Sequence, residues 1–193
     1  QRRVYRDNQH PRNIKTKEMT RIILLGYMGA GKTTIGKALA KELGIMFYDL
    51  DWYIESRMRR TVAQIFSDEG EEGFREIERN MLHEVAEFED VVISCGGGTP
   101  CFYDNMDYMN AQGDTIYLQA SPDVLAGHLR MGKVVRPLIA GKSDEELRQY
   151  IIESLKQREP YYTKAHHTLN VDLMDNYEKI RISVEKARQI LGV

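Results

Sequence analysis

The apolar run Arg21–Leu25 (RIILL) leads directly into Gly26-Tyr-Met-Gly-Ala-Gly31-Lys32-Thr33, and this junction constrains the fold more than any other stretch of the chain. The octapeptide fits the pattern G-x-x-x-x-G-K-[ST]. Its context gives the pattern force: a strand suited to burial on both faces precedes it and a helix follows. Lys32–Leu43 places Ile35, Ala38, Leu39 and Leu43 on one helical face, and Gly44 is a C-terminal stop. Backbone amides at the start of such a helix attract phosphate oxygens, and the helix dipole favours their charge. Lys32 is expected to bridge the β- and γ-phosphates and Thr33 to ligate Mg²⁺. A glycine-rich turn without a ligand is the plain alternative. The guanine-recognition pattern N/T-K-x-D is missing from the chain, which points to ATP and to a small-molecule or nucleotide kinase.

Strand-like and helix-like segments then alternate. Ile45–Tyr48 ending at Asp49, Val91–Ser94, Thr115–Leu118 and a weaker His167–Val171 read as further strands. Residues 51–88 read as two or three helices, because Gly70 and Gly73 interrupt the apolar stripe. Ser121-Pro122-Asp123 starts a helix, and Asp144–Arg158 and Tyr177–Leu191 are helical. Residues 130–142, with Gly132, Pro137 and Gly141, read as a loop. The expected fold is α/β: a five-stranded parallel sheet sandwiched by helices.

The chain has 193 residues, enough for one domain. Its formal net charge of -2 offers no basic field for nucleic acid. Cys95 and Cys101 are too few for a disulfide framework and read as reduced thiols of a cytoplasmic protein. No run approaches the roughly 18–20 apolar residues needed to span a bilayer. Residues 1–18 are polar and basic and lack the apolar core of a secretory signal. They are expected to be a leader outside the native kinase domain, which would begin at Met19 and run to residue 193. The balanced charge favours a monomer.

The candidate acceptor side lies downstream. Asp49 and Asp51 stand at the carboxyl end of the second strand, the edge that faces the ligand crevice in open α/β sheets. Asp49 is placed to hold Mg²⁺, and Asp51 to orient a substrate hydroxyl and take its proton. Simple capping of a helix is the other reading. Arg75 and Glu78 are three apart on a helix and can pair, which would hold the guanidinium for a carboxylate; an ordinary surface ion pair would look the same. Gly96-Gly97-Gly98 after a strand suggests close backbone approach to a substrate, or else a tight turn. Arg136, in the cationic loop Arg130-Met-Gly-Lys133-Val-Val-Arg136-Pro137-Leu138, is the candidate phosphate contact. Arg130 is expected over the adenine or on a phosphate. Arg158 offers a second cation to an acidic substrate, and Tyr161 and Tyr162 read as packing residues.

Taken in order, the P-loop, D-x-D, F-R-x-x-E, G-G-G, R-P-L and R-x-x-Y from Ile22 to Tyr162 resemble the shikimate kinases. The resemblance implies a fold of the nucleoside-monophosphate-kinase type, with a helical substrate-binding region at residues 51–88 and a lid at 130–142. It implies transfer of the ATP γ-phosphate to the 3-hydroxyl of shikimate, in aromatic amino-acid biosynthesis. It further implies that Gly29, Ala30, Gly31, Lys32, Thr33 and Thr34 bind ATP phosphates and Thr33 binds Mg²⁺. Asp51 would contact the substrate hydroxyls, Arg75 and Arg158 the carboxylate with Gly97 nearby, and Arg136 the phosphates. One departure stands out. Family members often carry arginines and a proline in the adenine loop after the last strand, and Asp172–Tyr177 has neither. Adenine contacts there are expected through backbone. Rival readings are another small-molecule kinase, such as a gluconate kinase, and a non-catalytic ATP-binding module.

Overall fold

The computed structural model describes residues 19–132 and 137–193, without the Pro137 side chain. The leader assigned to residues 1–18 and the candidate Arg136 lie outside the described residues. Five parallel strands form one sheet in the order β2-β3-β1-β4-β5. They are β1 (Arg21–Leu25), β2 (Met46–Asp49), β3 (Val91–Ser94), β4 (Asp114–Gln119) and β5 (His167–Asn170). Position in the sheet follows apolar content. Ile22–Leu25 of β1 and all of β3 are buried, whereas MFYD and HTLN occupy the edges. A central parallel strand is covered on both faces and must be apolar throughout, while an edge strand need not be.

Seven α-helices accompany the sheet among the described residues: α1 (Lys32–Leu43), α2 (Leu50–Met58), α3 (Val62–Val85), α4 (Asn105–Gln112), α5 (Pro122–Met131), α6 (Asp144–Tyr162) and α7 (Tyr177–Leu191). α1 buries Ile35, Gly36, Leu39 and Ala40. Its contact with the sheet is close: a Cβ at Gly36 would stand 2.6 Å from Phe47 Cε2 and 3.2 Å from Leu24 Cδ1. Residues 51–88 hold two helices, α2 and α3. Of the two expected interruptions only Gly70 is real, at φ 71° and ψ -175°; Gly73 continues the helix.

Two features depart from the sequence reading. α4 was not legible, because only Asn105, Met106 and Met109 on it are buried and no apolar stripe marks it. Buried Asn105 instead donates from Nδ2 to the Thr99 carbonyl, a tertiary tie that no periodicity reports. α6 passes Arg158 and Pro160 and ends at Tyr162. Tyr162 is fully buried and its hydroxyl donates to the Gly97 carbonyl at 2.5 Å, which anchors the last turn despite the proline.

Because α1 and β2 meet at Gly36 without room for a side chain, Gly36→Val should overpack this layer. Urea unfolding is expected to show a loss of about 1–3 kcal/mol. An unchanged midpoint would mean that the layer relaxes freely.

Candidate active site

The site begins with what α1 lacks. The side chains of Asp49, Thr61, Ser121, Ser143 and Asn176 cap α2, α3, α5, α6 and α7. α1 starts after Gly31 with no side-chain cap and no acidic residue in its first turn. Its leading amides and the positive end of its dipole therefore face the crevice, ready for an anion. Gly29 and Gly31 hold φ values of 83° and 89°, which a side chain would resist. Lys32 Nζ donates to the Gly26 and Tyr27 carbonyls at 2.8 and 2.9 Å, so the ammonium lies along the loop.

At the end of β2, one carboxylate serves two ends. Asp49 Oδ1 accepts from the Asp51 and Trp52 amides and caps α2. Its Oδ2 accepts from the Thr33 hydroxyl at 2.9 Å. The capping reading and the metal reading of Asp49 thus use different oxygens. A hydroxyl and a carboxylate oxygen are hard donors of the kind Mg²⁺ prefers. Their separation matches adjacent corners of an octahedron with ligands about 2.0–2.1 Å from the ion, so the pair fits the metal. No group of three or more His, Cys, Asp or Glu placed to hold a metal ion occurs among the described residues.

Asp51 sits half-buried on α2. Burial pushes its carboxyl up to about 6; Asp49, Glu78 and Glu55 push the same way, and Lys32 opposes them. A carboxylate shifted in this way, next to a phosphate loop, is suited to accept a proton near neutral pH.

The glycine triplet is where the acceptor side comes together. A methyl added at Gly96 would lie 3.4 Å from both Asp51 Oδ1 and Glu78 Oε2. At Gly97 it would lie 3.1 Å from Arg158 Nη1 and 3.4 Å from the Met28 amide nitrogen, and at Gly98 2.6 Å from Arg75 Nη2. A side chain at Gly98 would displace the Arg75 guanidinium and one at Gly97 would crowd Arg158, while at Gly96 the two carboxylates stand at van der Waals distance. Arg75 itself is held from both sides. Nη1 donates to buried Glu78 Oε1 at 2.9 Å, and the guanidinium lies 4.0 Å from the Phe102 ring centroid. Glu78 also accepts from the Thr99 hydroxyl at 2.9 Å. Burial raises the Glu78 carboxyl, against the pull of Arg75 and these hydrogen bonds. Arg158 lies over the Tyr27 ring at 5.3 Å, on the phosphate-loop side.

A cleft of about 710 Å³ is lined by the loop glycines 29 and 31, Lys32, Thr33, Thr34, Asp49, Asp51, Gly96 and Gly97. Arg75 and Arg158 are not among its lining residues and join it through the triplet. Arg130 does not point at the loop. Its guanidinium meets the Lys142 carbonyl at 3.1 Å and the Asp144 carboxylate at 2.6 Å, tying the end of α5 to the start of α6. An acidic partner beyond the loop took this side chain, which spacing alone could not show. The far wall holds residues the sequence reading passed over: His128 and Met174. A side chain at Gly31 would overlap the Met174 methyl, so the segment after β5 reaches the phosphate loop through this thioether side chain. Phe102, Thr99 and the Tyr162 hydroxyl were missed as well. An aromatic or hydroxyl residue carries no spacing signal that separates support of a site from ordinary packing.

Comparison with known proteins points to one family. The shikimate kinase family profile matches residues 28–188. A shikimate kinase of Phocaeicola vulgatus is 58% identical over 174 residues, covering 90% of this chain and 99% of that protein. The crystal structure of shikimate kinase from Bacteroides thetaiotaomicron superposes with a TM-score of 0.88 at 54% identity, over 91% of this chain and 99% of that one. Shikimate kinase from Acinetobacter baumannii in complex with shikimate gives a TM-score of 0.77 at 32% identity, over 91% and 94% of the two chains.

A carboxylate at the position of Asp51 can accept a proton only when ionised. The acid limb of kcat/KM for the acceptor is therefore expected near pH 6, with a plateau above it and roughly a tenfold loss per unit below. Asp51→Asn should remove that limb along with most of the activity. It should also raise the melting temperature at pH 7. The folded value of about 6 lies above the ordinary 3.8, so this group favours folding fully below about pH 4 and loses that contribution as pH climbs through 6. An acid limb retained in the Asn variant would assign it to another group.

Proposed function

Since the chain belongs to the shikimate kinase family, and thus transfers phosphate from ATP to shikimate, we propose that the residues around the glycine triplet carry that reaction at the 3-hydroxyl. The single observation behind the assignment is the contact of Asp51, Arg158 and Arg75 with Gly96, Gly97 and Gly98, with the Met28 amide of the phosphate loop against the same turn.

The roles follow from charge and distance. The amides from Gly29 to Thr34 and the Lys32 ammonium hold the triphosphate and offset charge that grows on the transferred group. Arg75, fixed by Glu78 and Phe102, and Arg158 grip the shikimate carboxylate. Asp51 orients the acceptor hydroxyl and takes its proton as the new oxygen–phosphorus bond forms. The bond to the β-phosphate oxygen breaks and ADP leaves. With its carboxyl near 6, about nine in ten Asp51 side chains are ionised at pH 7 and able to receive that proton. Arg136 is assigned a phosphate contact from the sequence pattern alone.

Thr33 and Asp49 would hold Mg²⁺, which supplies neutralisation of the β- and γ-oxygens. Two protein oxygens are few for a metal cage, so the ion is expected to arrive with the nucleotide. Free thiols at Cys95 and Cys101 favour a reducing cytoplasm. No helix among the described residues is long and apolar enough to cross a membrane. A monomer, with no nucleic acid or membrane partner, is the state we assign.

A coupled ADP-release assay tests the reading. ADP release is expected with shikimate and Mg²⁺ together, and neither with gluconate nor without the metal. Turnover of gluconate but not shikimate would overturn it.

Two variants separate the halves of the site. Lys32→Ala should lower kcat by about 10²–10³-fold. Arg75→Ala should raise the KM for shikimate about 10–100-fold, the scale of a lost charge-assisted bond, and leave the KM for ATP within about twofold. Equal weakening of both ligands would make Arg75 a structural residue.

A further inference from the structure

His128 stands on α5, outside every motif of the phosphate loop, yet it touches that loop and the segment after β5 at once. Its Nδ1 lies 2.6 Å from the Gly29 carbonyl oxygen. Its Nε2 accepts from the Met174 amide at 2.8 Å. An amide can only donate, so Nε2 carries no proton and the ring is the neutral tautomer with hydrogen on Nδ1. That hydrogen is donated to Gly29. The two bonds are mutually consistent and use both ring nitrogens.

We propose that His128 is a positioning residue for nucleotide binding: it pins the Gly29 carbonyl and the Met174 amide, and so sets the phosphate loop and the post-β5 segment in register. The proposal rests on the reading of this loop as the ATP site. The peptide between Gly29 and Ala30 is then held at both ends, by His128 on its carbonyl and by the Ala30 amide donating to the Tyr27 carbonyl at 3.1 Å. Glycines at φ 83° and 89° flank Ala30. With no Cβ to restrict them, such residues set their neighbouring amides only if the peptide planes are fixed from outside. Packing closes the same contact. A Cβ at Gly29 would be 3.0 Å from Leu129 Cγ and 3.2 Å from the Leu125 carbonyl, so α5 lies flush against the loop. Met174, aligned by its own amide bond, covers Gly31. His128 and Met174 both line the cleft.

The test uses the full chain and ADP with Mg²⁺ as the probe, with affinities measured by calorimetry. His128→Ala is expected to weaken ADP on the order of tenfold, the scale of one or two lost hydrogen bonds, and to leave shikimate within about twofold. His128→Asn can restore a donor near the Nδ1 position and His128→Gln an acceptor near Nε2. The Asn variant should recover part of the ADP affinity, because the Gly29 bond acts on the phosphate loop directly. These two isosteres carry the comparison if the Ala variant does not fold. Nitrogen-15 NMR of the wild-type imidazole should show the proton on Nδ1. ADP affinity within twofold of wild type in His128→Ala, equal weakening of ADP and shikimate, no recovery by Asn, or a proton on Nε2 would each overturn the proposal. Wild-type protein that fails to bind ADP would instead sink the assignment of the loop as an ATP site.

Discussion

Backbone amides attract an anion only while their peptide planes point the same way, and a loop rich in glycine cannot hold that alignment alone. Much of this structure is arranged around that constraint. β1, buried between β3 and β4, delivers the chain to Gly26 at a fixed place. α1, packed on the sheet through Gly36, fixes the other end of the loop. Between them the loop carbonyls are engaged by neighbouring groups: Gly26 and Tyr27 by Lys32, Tyr27 also by the Ala30 amide, and Gly29 by His128. Satisfying carbonyls on one side leaves the helix start, which has no side-chain cap, open on the other.

The acceptor side solves a different problem, that of keeping charges close without solvating them. Glu78 is 1% exposed, and a lone carboxylate there would be costly. Arg75 and Thr99 share its two oxygens. The same ion pair orients Arg75, so compensation of a buried charge and preparation of the group proposed to bind the substrate are one interaction. Asp51 is left differently. Burial raises its carboxyl; Asp49, Glu78 and Glu55 add to the rise, and only Lys32 opposes it. Both carboxylates, Glu78 paired with Arg75 and Asp51 beside the phosphate loop, stand close to one turn of glycines, where no side chain holds the groups apart.

Much of the fold was legible. The strands RIILL and VVIS are apolar on consecutive residues and could belong only to the middle of a parallel sheet, and there they lie. Ser121-Pro122-Asp123 announced α5, and Ser121 does cap it. α4 was silent because its burial rests on Asn105 and two methionines. The extension of α6 to Tyr162 was hidden by Pro160, whose local preference loses to the buried Tyr162 bond. Among candidate site residues, Lys32, Thr33, Asp49, Asp51, Arg75 and Arg158 were named from type and position. His128, Phe102 and Met174 were not, since their partners are 99, 27 and 143 residues away, at Gly29, Arg75 and Gly31.

By itself the sequence determined whatever depends on neighbours in the chain: the strand–loop–helix that presents amides to phosphate, the alternation that yields a parallel sheet, and the pairing of Arg75 with Glu78 one helical turn apart. These follow from local backbone preference and residue spacing. Only the tertiary structure decided which side chains from separate elements would meet. It brought α2, α3 and α6 onto the Gly96–Gly98 turn, sent Arg130 to Asp144, and set His128 between the phosphate loop and the last strand's exit. Those meetings arise from packing the whole core, and no short stretch of sequence encodes them.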